Sequence, residues 1–459
     1  MRKIYIFGAL ACLFSACKPS VNITVPPTAG DADFRSYLAI GNSLTAGYAD
    51  NSLTVSGQLN SYPQRLFEQF ALIQDRGAQG NFYQPLLHGD MGYPGARKEL
   101  AMTYYCNGDT SLAPRDLSYF SADAQDAVRY NSPGPNGQID NIAVPGIRVA
   151  DYNFAGYAVL NKYAERFYKS PTTSTPQQEL EYRVSNNHPT FFTMWLGAND
   201  VLGYATAGGQ GDGSGNALPI APNLYNRNDI TPTPVFDTNY SHAITAAIST
   251  GAKGALINIP DITKIPFFTT IPANGLVITR QSYADSLTAF YSGSLNYVFS
   301  QGANYFIVRD NLGNLRQAVP GELILLTTPK DSIACAGWGS YKAIPQAYVL
   351  TTEEIQNIRN ATTRFNEKIA GFAFRNNLAL VDMFSYMGTL QSGIVYNGVK
   401  YNSQFVTGGA FSLDGVHLNQ RGYAIIANKI IETINTKYHS TISPVNVNKY
   451  NGVLFPGNF

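Results

Sequence analysis

The chain has 459 residues, a net charge of +1 and a hydrophobic share of 44%. That share supports a folded core and excludes a disordered chain; the near-neutral balance, with no Lys/Arg cluster, leaves no footprint for nucleic acid. Only 14% of residues are charged, while Tyr (30), Phe (25) and Gly (41) are plentiful, a mix that suggests a loop-rich extracytoplasmic protein with aromatic-lined surfaces.

The first element is a targeting segment. "MRK" is a basic n-region, "IYIFGALACLF" an apolar h-region and "SAC" a small-residue cleavage site ending at Cys17. The apolar run is too short to span a membrane convincingly. "FSAC" resembles a bacterial lipobox, with Phe14 where Leu is more usual. The resemblance implies removal of residues 1–16 and lipidation of Cys17, hence a membrane-anchored place in the cell envelope, periplasmic or on the outer-membrane surface. An ordinary secretory signal with an incidental Cys is the other reading. Residues 17–33 are polar and Pro-bearing, as a tether would be, which leaves 34–459 as the folded domain.

Apolar runs then alternate with helix-like stretches. "SYLAIG" (36–41) reads as a strand, "YPQRLFEQFALI" (62–73) as a helix and "QIDNIAVPG" (138–146) as a second strand. "PTFFTMWLGAND" (189–200) is a third, apolar strand, followed by a helix over 239–250 and a strand over 254–262. A long amphipathic helix over 352–377, with Thr352 as candidate cap, precedes a last strand (378–384) and a last helix (420–438). The alternation points to an α/β domain built on a parallel sheet. Several strands end in polar residues, at the edge where open α/β sheets bind ligands.

Long loops separate these elements, near 77–137, 203–236 and 311–350. The 203–236 stretch reads equally as a substrate rim or lid and as a solvated insertion. Cys106 and Cys335 are as consistent with a disulfide in an oxidising compartment as with two buried thiols.

The chemistry-bearing residues stand at the strand ends. In "FSLDGVHLNQRGY" (411–423), Asp414 and His417 are three residues apart around a Gly-bearing turn. A carboxylate beside an imidazole fixes its tautomer and stabilises the imidazolium. Ser43, in "YLAIGNSLTAGYAD" (37–50), is the hydroxyl for it to act on. Donors for a developing oxyanion are the Ser43 N–H, Gly146 in "NIAVPGIRVAD" and Asn199 in "WLGAND". Taken singly, each has a bland reading: Ser43 and Asn199 as caps, Gly146 as a turn, His417 as a structural residue. His88, in "LLHGDMGYPG", could line the rim. The His and Cys spacings give no metal site, and the chemistry needs no cofactor.

"GNSLTAG", "VPGIR", "GAND" and "DGVH" occur in the order and spacing of the four sequence blocks of the SGNH hydrolases, the GDSL esterase/lipase family, across residues 37–438. The resemblance implies a flavodoxin-like three-layer α/β/α sandwich. Position by position it implies Ser43 as nucleophile, His417 as general base and Asp414 as its orienting acid. Gly146 and Asn199 would complete the oxyanion hole with the Ser43 amide. Gly197 would let the turn approach the substrate, and Asp200 would support its loop. One residue departs from the pattern: Asn42 stands where the family has Asp, which implies a modest change in loop support without loss of activity. The implied function is a serine hydrolase acting on carboxylic esters through an acyl-enzyme, with short-acyl or O-acetyl esters (acylated glycan or small ester) favoured. A long-chain lipase or phospholipase, or a non-catalytic lipoprotein that binds glycan or lipid, are the alternatives.

Overall fold

The run Phe191-Phe192-Thr193-Met194-Trp195 has no polar alternation, and a strand can bury all five residues only inside a sheet covered on both faces. The computed structural model describes residues 26–455, apart from 120, 122, 216–226, 296 and 311. In it β1 (Tyr37–Gly41) pairs parallel with β2 (Phe191–Trp195), in register from Tyr37 opposite Phe191 to Gly41 opposite Trp195. The sheet continues in parallel through β3 (Lys253–Ile257) to β4 (Ala379–Val381). All residues of β1 and β2 are buried.

The strand expected over 138–146 is not a full strand. It touches β1 through one parallel bridge, Asn141 to Ala39. Its backbone nevertheless follows β1: Ala39 N–H donates to Asp140 O, Ile142 N–H to Ala39 O and Val144 N–H to Gly41 O, at 2.7–3.0 Å. Its ladder stops short because Tyr83 O takes the Asp140 and Asn141 N–H groups, and because Pro145 and Gly146 end the extended backbone. Tyr83 thus covers an exposed sheet edge. With this segment counted, the strand order along the sheet is 2-1-3-4-5 in chain order, the flavodoxin-like arrangement, with its switch point beside β1.

Helices cover both faces. Phe191 contacts Phe70 of α2 (Tyr62–Phe70), counting α1 as Ser43–Ala46, and also Tyr438 at the end of the last helix, Gln420–Tyr438. Those two helices therefore share one face, on which Phe34 stacks on Phe70 at 4.2 Å. On the other lie α3 (Pro176–Asn187), α5 (Thr233–Ala247) and α6 (Thr352–Arg375), after α4 (Asn199–Thr206) has left β2. Phe236 of α5 stacks on Phe365 of α6 at 4.1 Å. The last two helices are α7 (Met383–Ser392) and α8 (Gln420–Tyr438).

Several boundaries differ from the sequence reading for identifiable reasons. The α6 cap is Thr351, not Thr352. Thr351 Oγ accepts the Glu354 N–H and the Glu354 carboxylate accepts the Thr351 N–H, and only the Thr351 register places a Glu at the third helical position. The last strand stops at Val381 because Asp382 caps α7, accepting the Ser385 N–H at 3.1 Å. The loop reading of 203–236 overlaps α5, whose first turn carries a Pro. Within 77–137 lies an antiparallel hairpin, Lys98–Tyr104 against Thr110–Asp116. The 311–350 stretch belongs to a larger insertion with small sheets and its own apolar clusters around Phe306 and around Tyr291. Cys106 and Cys335 form a disulfide that ties these two insertions together across 229 residues. The tether is shorter than expected: Ala29 and Ala32 are buried and Asp31 N–H donates to Tyr438 O. The signal segment and Cys17 lie outside the described residues. Among the described residues no helix is long and apolar enough to cross a membrane.

Candidate active site

β1 delivers the chain to the carboxyl edge of the sheet and α1 turns it back. Asn42 caps α1, its side-chain oxygen accepting the Leu44 N–H at 3.1 Å, and it is 1% exposed. An Asp would make the same bond; the amide makes it without burying a charge. Ser43 is the first residue of α1, so its hydroxyl stands where β1 stops.

The turn before α8 meets it there. Ser43 Oγ lies 2.8 Å from His417 Nε2, and His417 Nδ1 lies 2.9 Å from Asp414 Oδ2. Asp414 Oδ1 accepts the Val416 and His417 backbone N–H groups, both at 2.8 Å. Its Oδ2 also accepts the Asn51 N–H at 2.9 Å. Burial alone would raise the Asp414 pKa. The charge and hydrogen bond of His417, with the backbone donors of His417 and Asn51, outweigh that and hold the carboxyl well below the usual carboxylate range.

A tight turn holds this pair from behind. Asp50 and Asn51 have φ +53° and +64°, a left-handed region that Asp and Asn enter more readily than other side chains. Asp50 Oδ1 accepts the Leu413 N–H at 2.8 Å, and Ser412 Oγ accepts the Asp50 N–H at 3.0 Å. Burial pushes the Asp50 carboxyl up to about 6; the Asp414 charge adds to the rise, while the Leu413 N–H, Arg97 and His417 oppose it. The Tyr48 ring lies 4.6 Å, centroid to centroid, from the His417 ring.

Ser43 and His417 open into a cleft of about 380 Å³ that Gly146 and Asn199 also line. Gly146 has φ +79° and sits where a β-carbon would meet, among the described residues, only Arg227 Nη2, at 3.5 Å. Arg227 donates to the Gly146 carbonyl at 3.0 Å. Asn199 Nδ2 donates to Ile147 O at 2.9 Å, which fixes the amide against the Gly146 segment. All five residues singled out for catalysis and oxyanion binding thus converge on one edge. The arrangement can move a proton from Ser43 to His417 beside a group of amide donors.

Asp200 does not reach the cleft. It is fully buried and accepts from Val149 N–H, Ala150 N–H and Thr231 Oγ at 2.7–3.2 Å. Burial lifts its carboxyl to about 6 against those hydrogen bonds. Gly197 does not line the cleft either. Its φ is +109°, and a β-carbon would come within 2.7 Å of Ile259, so core packing demands the glycine, not substrate approach. His88 lies away from the cleft, with Nδ1 2.9 Å from Asp126 Oδ1. Potential ligand atoms of His88, Asp123 and Asp126 lie within 4.8 Å of one another, but Arg166 stands 4.0 Å from Asp126 and supplies a counter-charge. The rim expected over 203–236 falls partly on 216–226, outside the described residues; Arg227, within that stretch, and Leu202, just before it, line the cleft. Sequence reasoning missed Tyr48, Asp50, Asn51 and Arg227. For two of these a signal existed: the Asp50-Asn51 pair is a turn dipeptide directly after the first block.

The family model described as GDSL-like Lipase/Acylhydrolase matches residues 37–430. Among solved structures, the crystal structure of TesA is 9% identical, with a TM-score of 0.32 over 87% of this chain and 98% of that one. A GDSL-like lipase structure from Parabacteroides merdae is 10% identical, with a TM-score of 0.33 over 89% of this chain and 99% of that one. No curated protein matches the chain. The family match over most of its length shows that the chain belongs to the GDSL-like lipase/acylhydrolases and is an esterase or lipase.

Proposed function

We propose that the chain is a serine esterase that works through an acyl-enzyme and prefers esters of short acyl groups, including O-acetyl groups. The observation that carries the reading is the unbroken hydrogen-bond series Asn51–Asp414–His417–Ser43, ending in a cleft shared with Gly146 and Asn199. As Ser43 Oγ bonds to the ester carbonyl carbon, its proton passes to His417 Nε2 and the carbonyl π electrons move onto oxygen. The Ser43 and Gly146 amides and the Asn199 side chain receive that oxyanion. Asp414 stabilises the imidazolium without taking its proton. When the carbonyl re-forms, the bond to the alcohol oxygen breaks and His417 returns the proton to it. Water, deprotonated by His417, then releases the acid from Ser43.

Two features support a short acyl group. The cleft walls are largely polar and aromatic, with Asn51, Asn161, Tyr48 and Tyr163 beside only a few apolar groups such as Leu160 and Leu202. The apolar recess lined by Leu44 and Val416, sequence neighbours of Ser43 and His417, has a volume of about 50 Å³, against about 380 Å³ for the cleft itself. The pattern of residues 1–17 supports export and anchoring at Cys17 in the cell envelope. Hydrolysis of p-nitrophenyl esters from acetate to long chains tests the preference. Activity falling steeply beyond about four carbons is expected; a maximum at long chains would replace the short-acyl reading with a lipase.

A further inference from the structure

The residues lining the cleft are not balanced in charge. Arg227 and Lys162 line it together with His417, and among the described residues no Asp or Glu does. The two cations differ. Lys162 Nζ is 2.9 Å from Glu165, so its charge has a partner. Arg227 is exposed, and the bond described for its guanidinium is to a neutral acceptor, the Gly146 carbonyl at 3.0 Å. The stretch 216–226 before it contains no acidic residue to neutralise it. The catalytic acid Asp414 is 8% exposed at its side chain and saturated by four donors, so its charge is spent on His417 and the backbone.

Arg227 is also held in place. The Gly146 carbonyl fixes one end of a planar fork whose remaining N–H groups have no partner among the described residues and can bind a carboxylate or phosphate in two-point fashion. That carbonyl belongs to a residue that lines the cleft with Ser43, so an anion on Arg227 lies in the same cleft as the scissile bond. A cleft walled by one sign of charge raises the local concentration of ligands of the other.

We infer that the cleft selects esters that carry a negative charge close to the scissile bond, such as acylated acidic sugars or acylated phosphate-bearing alcohols, through Arg227. This rests on the hydrolase reading above and narrows its substrate class.

The test uses matched pairs. 4-Acetoxybenzoate and its neutral methyl ester place or remove the charge on the alcohol side. 4-Nitrophenyl hemisuccinate and its methyl ester do so on the acyl side. For each pair the ratio of kcat/KM, anion to neutral, is measured in the wild type, Arg227→Gln and Arg227→Lys. The expected result is a ratio in one pair that falls about tenfold in Arg227→Gln. It is largely kept in Arg227→Lys, and it shrinks as ionic strength rises from about 0.02 M to about 0.5 M. Arg227→Gln also frees the Gly146 carbonyl, but that structural loss slows both members of a pair alike and leaves the ratio unmoved. A ratio unaffected by Arg227→Gln in both pairs would overturn the inference. Binding of the same esters to Ser43→Ala protein, followed by NMR, reads the preference without turnover. Anion-selective binding lost in Ser43→Ala/Arg227→Gln, with no hydrolysis by the wild type, would contradict the hydrolase reading while upholding the anion site.

Discussion

Asp414 does two jobs at once, and both follow from where its oxygens point. Oδ1 is taken by two backbone N–H groups of its own turn, and Oδ2 faces His417 and Asn51. Asp414→Asn would keep the shape but offer an N–H where His417 Nδ1 needs an acceptor, trapping the wrong tautomer. A loss in kcat of about 10⁴-fold is expected, measured on any ester the wild type turns over. Asp50 is the less obvious carboxylate. Burial keeps it neutral below about pH 6; above that it adds a second negative charge behind Asp414 and favours the His417 imidazolium. The charged groups facing it are Asp414, Arg97 and His417. In the wild type, kcat/KM should therefore gain a component that rises through about pH 6. Asp50→Asn should lack it and be several-fold slower above pH 6, with little difference below. Equal profiles from pH 5 to 8 would show that Asp50 only shapes the turn.

The elements that aim these side chains are short, and their ends matter more than their lengths. α1 is held by its Asn42 cap, so Asn42→Ala should destabilise the protein by about 1 kcal/mol and lower kcat, while Asn42→Asp should restore the cap bond. Thermal melting with parallel assays separates the two effects. Asp200 ties the start of α4 to residues 149 and 150, holding Asn199 against Ile147. Its folded pKa of about 6 lies above the ordinary carboxylate value. The folded state therefore binds its proton more tightly than the unfolded state does, and this contribution to stability is lost as pH rises from about 4 through about 6. Asp200→Asn should flatten that slope, so the Tm difference, variant minus wild type, should increase across this window. A constant difference would mean that Asp200 is ionised throughout. The site at this scale was readable because its residues are local: Ser43 follows an apolar strand, and Asp414 and His417 share one turn. The Asp50-Asn51 turn left a trace in the sequence, but the reach of the Asn51 N–H to Asp414 did not, and a loop Arg such as Arg227 gains meaning only from the Gly146 carbonyl that it meets.

In the whole molecule, a flavodoxin-like sheet carries the chemistry and two insertions decorate it. The sheet was legible from its continuous apolar runs, and α8 was placed at its true ends because Asn419 caps a long apolar periodicity. The insertions were not. Strands of two or three residues, such as Leu323–Ile324 between Val349–Leu350 and Ile271–Pro272, depend on partners distant in sequence and leave no periodic trace. The Cys106–Cys335 disulfide joins the insertions without touching the Ser43–His417 series. Replacing both cysteines with Ser should therefore lower stability by about 2–4 kcal/mol, seen as a lower Tm, while kcat changes less than a few-fold. A collapse of kcat in a variant still folded at assay temperature would place the insertions in the chemistry.

The most direct measurement of the central claim is covalent labelling by a fluorophosphonate, read by intact-mass and peptide mass spectrometry. A Ser43 activated by His417 should yield one adduct per chain, mapped to the peptide that contains Ser43. That adduct should be absent in Ser43→Ala and slowed by orders of magnitude in His417→Ala. An unlabelled wild type that is folded, or a Ser43→Ala protein labelled as fast as the wild type, would contradict Ser43 as the nucleophile.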